Sequence, residues 1–149
     1  MPTEPLRCAG ALIVHDDGRL FFQRRSPERR LFPNAWDVVG GHLEPGEEIE
    51  DALSREVAEE TGWSLSHVLG RIGEFRWTGD DGVPRVETDF LVRVDGDLTR
   101  PRLEAGKHTE FRWLAERDLA VLDENRNAGD GQIRRIAEDA FAALRSIGL

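Results

Sequence analysis

Between Gly40 and Trp63 the chain reads GGHLEPGEEIEDALSREVAEETGW, placing eight carboxylates and one basic residue, Arg55, in twenty-four positions. Ile49, Ala52, Leu53 and Val57 recur at helical spacing, so the segment from about Glu47 to Thr61 is expected as a helix with one apolar stripe. Gly62 stands just past its end, where a left-handed residue is favoured, and acidic residues crowd its first turn, where the helix dipole favours them. Like charges at neighbouring helix positions repel by roughly a few tenths of a kcal/mol each. A helix this acidic therefore needs its apolar stripe buried on one side and a cation, or a use for the field, on the other.

The rest of the chain supplies the surface that stripe requires. Its 149 residues suit one ordinary domain, 1–149, with no low-complexity tract and no internal repeat. Residues 8 to 15 and 19 to 24 are strand-like and separated by HDDG, whose Asp-Gly pair signals a hairpin, so these two strands are expected as antiparallel neighbours. A loop with two prolines leads to a short strand, DVV, which the double glycine is expected to end. Residues 67 to 78 and 84 to 94 alternate as strands about the turn GDDG, and 109 to 114 give one more. From about Asp130 to Ile147 a second helix aligns Ile133, Ile136, Ala137, Ala140, Phe141 and Leu144 on one stripe. The expected fold is α/β (α+β), a mixed sheet sandwiched between helices.

A net charge of −9 argues against a broad nucleic-acid surface, although a phosphorylated small molecule stays possible where bound metal reverses the local sign. No run approaches the ~18 apolar residues of a membrane span, and the start MPTEPLR lacks a secretion-signal pattern, so a cytoplasmic location is expected. The one cysteine, Cys8, lies in an apolar run and reads as a small buried side chain.

Glu56 and Glu60 are four residues apart and Glu59 three beyond Glu56, so all three project from one helix edge. Such a triangle offers the hard oxygen ligands that Mg²⁺ or Mn²⁺ prefers. Gly40 and Gly41 let the backbone before it turn and bring a carbonyl close to an ion. Arg55 is positioned to orient a carboxylate. A Glu-rich helix by itself is more often just a solvated face.

Read from Gly41, the pattern is G-x5-E-x7-R-E-V-A-E-E-T-G-W, which resembles the signature of the MutT-like Nudix hydrolases position for position. Seven fixed residues make a chance match on the order of 10⁻⁸ per start position. The resemblance implies a Nudix α/β/α sandwich and hydrolysis of a nucleoside diphosphate linked to a further group, dependent on Mg²⁺ or Mn²⁺. It implies that Glu56, Glu59 and Glu60 bind metal or activate water, with Glu56 the first choice for water, and that the loop carbonyl ligand falls at Gly40. Arg55 matches the arginine that holds these carboxylates, and Glu47 the glutamate that steadies the loop. Because some members use a carboxylate outside the motif, Glu110 is the chosen additional ligand or base.

For the substrate, a small-molecule nucleotide, Arg24 and Arg25 with Arg29 and Arg30 form a basic cluster at positions similar to those that meet phosphates in relatives, against the plainer reading of exposed loop arginines. His42 is a candidate to touch a phosphate, against the plainer reading of a histidine satisfied by local hydrogen bonds. Phe32 and Trp36 are candidates to stack on a base, against the plainer reading that they pack. Trp77 and Trp113 are expected in the core or a pocket wall. Val39 stands where many relatives carry proline, setting the chain apart from the oxidised-nucleotide cleaners. The isopentenyl diphosphate isomerase branch is disfavoured because Cys8 lies far in sequence from the glycine pair. The expected activity is cleavage of a nucleoside triphosphate to monophosphate and pyrophosphate; the alternatives are an ADP-ribose or nucleotide-sugar pyrophosphatase and a non-catalytic nucleotide sensor. A monomer or a homodimer is compatible with the sequence.

Overall fold

The computed structural model describes residues 4–79, 81–127 and 130–148. Among the described residues seven strands form two sheets. The first sheet has four strands: β1 (Leu6–Ile13), β4 (Val39–His42), β5 (Ser64–Thr78) and β6 (Pro84–Asp95), in the order β4-β1-β6-β5. The second has three: β2 (Leu20–Arg25), β3 (Trp36–Asp37) and β7 (His108–Leu114), in the order β3-β2-β7. Helix α1 spans Ile49–Thr61 and α2 spans Gln132–Ser146, with a 3₁₀-helix at Glu116–Asp123 that the sequence patterns had not signalled. The expected fold class holds, with its mixed sheet divided in two.

β1 explains the division. It runs parallel to β6 on one edge and antiparallel to β4 on the other, and its six residues from Cys8 to Ile13 are buried. A strand covered on both faces reads as a continuous apolar run, as this one does. Leu12 and Val14 pack into a cluster with Ile136, Ala140 and Phe141 of α2. Ala9, Ala11 and Ile13 turn the other way, onto Ala52, Leu53 and Val57 of α1. The two apolar stripes therefore cover opposite faces, and burying a side chain such as Leu53 fully is worth roughly 1.5–3 kcal/mol.

Two local expectations are corrected. The HDDG turn forms, with Gly18 at φ +92° and His15 N donating to Arg19 O at 2.8 Å, but only Val14 and Leu20 bridge the strands it joins. Both edges of β1 are already taken, so β2 leaves to pair with β3 and β7. The single short strand expected at 37 to 39 is two, parting at Val38, with β3 in one sheet and β4 in the other. Nor do the glycines end it. Gly40 and Gly41 lie within β4, where Gly40 pairs with Gly10 and a Cβ on Gly40 would strike the Ala9 carbonyl. The β5–β6 hairpin closes as expected, Gly82 N donating to Gly79 O at 3.0 Å, although Asp80 of that turn lies outside the described residues.

Candidate active site

α1 begins after Glu48 and ends at Gly62, whose φ of +77° is the left-handed conformation glycine adopts without strain. Its carboxylate edge meets β4 at the glycine pair: a Cβ on Gly41 would sit 2.5 Å from Glu56 Oε1. Only glycine there lets the carboxylate reach the strand.

Arg55 organises this edge. Its Nε and Nη2 donate to the two oxygens of Glu47, both at 2.9 Å, a bidentate pair. Nη1 donates to Glu56 Oε1 at 2.9 Å and to Glu59 Oε2 at 3.3 Å, and Nη2 also reaches the His42 carbonyl at 3.1 Å. Glu47 in turn accepts from Glu44 N at 2.9 Å, closing the loop onto the helix. The guanidinium holds the Glu47 carboxyl down at about 2, and those hydrogen bonds push Arg55 further up from its ordinary value.

Glu60 is turned inward. Its Oε1 accepts from Gln23 Nε2 and its Oε2 from Gly40 N, both at 2.8 Å, so donors from both sheets fix one carboxylate. Burial, then the charge of Glu56, raises its pKa well above the ordinary range. As the side chains stand, no three His, Cys, Asp or Glu among the described residues converge on a common point. Glu56 and Glu59 lean to Arg55 while Glu60 leans to Gln23. The set still fits a divalent ion: hard oxygen donors on one helix edge, with a buried carboxylate destabilised by its acidic neighbour, which is the repulsion a cation relieves.

The helix edge lines a cleft of about 590 Å³. Its floor is a cross-strand row, His42 opposite Cys8 and Cys8 opposite Glu87. Arg25, Arg29 and Lys107 line it too, making a basic rim. Arg25 pairs with Asp37 at 3.2 Å and Lys107 with Glu104 at 3.3 Å. Desolvation, then Arg25, lowers the pKa of Arg29; desolvation, then Arg85, lowers that of His42.

Of the residues singled out from the sequence, Gly40, His42, Arg55, Glu56, Glu59, Glu60 and Arg25 come together at this cleft, whereas Arg24, Trp36 and Glu110 do not line it. The period of two explains the exclusion. Gln23 points to Glu60, so Arg24 points the other way, where it meets its ladder partner Glu110 at 2.8 Å. Trp36 is 1% exposed and packs in the core. Of the carboxylates outside the motif, Asp37, Glu87 and Glu104 line the cleft; Asp37 pairs with Arg25, and Glu104, in the loop before β7, has its Oε2 3.3 Å from Lys107 Nζ. His108, 3.8 Å from Glu60 through Nε2, was also missed, and burial lowers its pKa to about 4.

Cys8 is remote from the glycine pair in sequence but adjacent in space, because β1 pairs with β4. Burial, then the charge of Glu87, pushes its thiol up to about 12.

The sequence profile of the NUDIX domain matches residues 4–136. Nucleoside triphosphatase NudI of Escherichia fergusonii is 32% identical over 123 residues, which cover 76% of this chain and 84% of that protein. Isopentenyl-diphosphate Delta-isomerase of Kocuria rhizophila is 30% identical over 115 residues, covering 76% of this chain and 64% of that one. A solved MutT NUDIX hydrolase from Burkholderia pseudomallei superposes with a TM-score of 0.74 at 26% identity, over 92% of this chain and 98% of that one. No helix among the described residues is long and apolar enough to cross a membrane. The unbroken signature along α1 and a domain match over most of the chain make this protein a member of the Nudix hydrolase family.

Proposed function

We propose that the protein is a divalent-metal-dependent pyrophosphohydrolase that cleaves a nucleoside triphosphate to the monophosphate and pyrophosphate. The observation that carries this is the Arg55 clasp, which sets Glu56 and Glu59 beside Glu60 and the Gly40–Gly41 strand at the cleft. The name of the NudI relative favours a triphosphate over a nucleotide sugar.

Glu56, Glu59 and Glu60, with the Gly40 carbonyl, would hold Mg²⁺ or Mn²⁺. Such an ion, when bound, neutralises charge on the bridging phosphates and lowers the pKa of water. The chain's own residues do the rest. Arg25, Arg29 and Lys107 are placed to bind phosphate oxygens from the opposite rim, and His42 to donate to one. Glu56, oriented through the bond its Oε1 accepts from Arg55 Nη1 at 2.9 Å, orients water and accepts its proton. Glu104 is the further carboxylate for that work, in place of Glu110.

Incubation with Mg²⁺ and a substrate panel tests the reading. Monophosphate plus pyrophosphate is the expected product pair; AMP plus ribose phosphate from ADP-ribose would move the assignment to a nucleotide-sugar pyrophosphatase, and binding without cleavage to a sensor. Isopentenyl diphosphate belongs in the panel, since Cys8 and Glu87 share the cleft and one relative carries the isomerase name. Its isomerisation would overturn the proposal.

A further inference from the structure

Part of the cleft is not accounted for by the acidic helix. Phe32 and Trp77 both line it, with ring centroids 5.8 Å apart and planes at 62°, so that the two rings form a corner. Neither belongs to the core clusters, whereas Trp36 and Trp63 do. Each ring is backed by a guanidinium: Arg126 lies 5.3 Å from the Phe32 centroid and Arg85 4.9 Å from that of Trp77. These supports are themselves anchored. Arg126 donates to the Trp36 carbonyl at 2.7 Å, and Arg85 donates to both oxygens of Asp81, at 3.1 and 2.9 Å.

The loop holds Phe32 at a cost. Its φ is +49°, in the left-handed region a bulky residue seldom occupies. The surrounding bonds enforce this, Arg25 Nε donating to the Leu31 carbonyl at 2.8 Å and Ala35 N to that of Phe32 at 3.2 Å. Strain that the surroundings over-determine clusters at ligand clamps.

Position adds the second argument. Gly41, against Glu56, is on β4, and Trp77 is on β5, the opposite edge of the four-stranded sheet. Three inter-strand gaps separate β4 from β5, roughly 14 Å at about 4.8 Å each, and the pairing sets Trp77 at the level of Leu6 where Gly41 stands at that of Ala9, further along the strands. Both still line the one cleft, so a ligand held at the helix edge has the rings towards its far end.

Taking the phosphates to lie at α1 as proposed above, we infer that the Phe32–Trp77 corner is the nucleobase subsite, with the base laid on one ring and its edge against the other. Stacking of this kind accepts any base, because every base has a π-face. It makes the site select nucleotides over diphosphates without a base.

The test combines binding and kinetics. Without divalent metal, ATP and CTP are expected to quench tryptophan emission of the wild type, inorganic tripolyphosphate is not, and Trp77→Phe is expected to abolish the quench. With Mg²⁺, Trp77→Leu and Phe32→Leu should each raise the nucleotide KM about tenfold or more, keep kcat within about twofold, and leave inhibition by tripolyphosphate unchanged. A quench that persists in Trp77→Phe, or an unchanged KM in both leucine variants, overturns the subsite. If nucleotides are cleaved while neither readout depends on these rings, only the subsite falls. If the quench depends on Trp77 but no nucleotide is cleaved, the subsite stands and the proposed reaction falls.

Discussion

Arg55 shows how much one side chain settles at this site. It bridges the loop glutamate and two helix carboxylates through a planar fork, a geometry a lysine cannot reproduce. Arg55→Lys should therefore lower kcat/KM by about 10- to 100-fold, with a thermal midpoint close to the wild type; steady-state kinetics and thermal melts check both. Glu59→Gln and Glu60→Gln act on the carboxylates directly. Each should cut turnover by orders of magnitude, roughly 10²-fold or more, with the circular dichroism spectrum unchanged. Normal turnover in both would remove the site assignment. His108 gives a pH signature of a different kind. Its pKa falls from 6.5 unfolded to about 4 folded, so between those values the unfolded chain binds the extra proton and stability declines as pH falls. Urea midpoints measured from pH 7 to 4 should drop less steeply in His108→Asn than in the wild type, by at most about one proton's worth of slope.

Among the elements, β4 is the most exacting. It must lie against β1 closely enough for Gly40 to pair with Gly10 and still face the helix carboxylates through Gly41. Gly40→Ala drives a Cβ into the Ala9 carbonyl, which cannot yield without moving β1. It should cost about 1–3 kcal/mol in urea denaturation, and activity should fall together with it because the displaced backbone also donates to Glu60. α1 was the element most open to reading from sequence, because its cap, stripe and carboxylate spacing are all local. The strands were less so. Whether β2 pairs with β1 is decided by β6 and β4, which arrive from elsewhere in the chain and occupy both edges. The same non-local pairing puts Cys8 next to His42, which distance along the sequence had argued against.

At the scale of the molecule, the charge of −9 and the clustered glutamates predict that metal binds the folded state and not the chain's unfolded form. Saturating Mg²⁺, near one hundred times its Kd, should raise the thermal midpoint by about 5–10 °C in the wild type and by much less in Glu60→Gln, as thermal melts would show. The motif residues that gather at the cleft were readable because a helix and its flanking glycines carry their own geometry. Glu104 was not, since choosing it over Glu110 required knowing which way β7 turns its side chains once it has paired with Arg24 across the ladder. The Trp36–His42 stretch has a last consequence. Because it crosses from one sheet to the other at Val38, Asp37 with its Arg25 partner and Gly40 with its Glu60 partner hang from either side of a common seam. The two walls that would grip a substrate are therefore tied through Val38, and parting them has to bend the chain there.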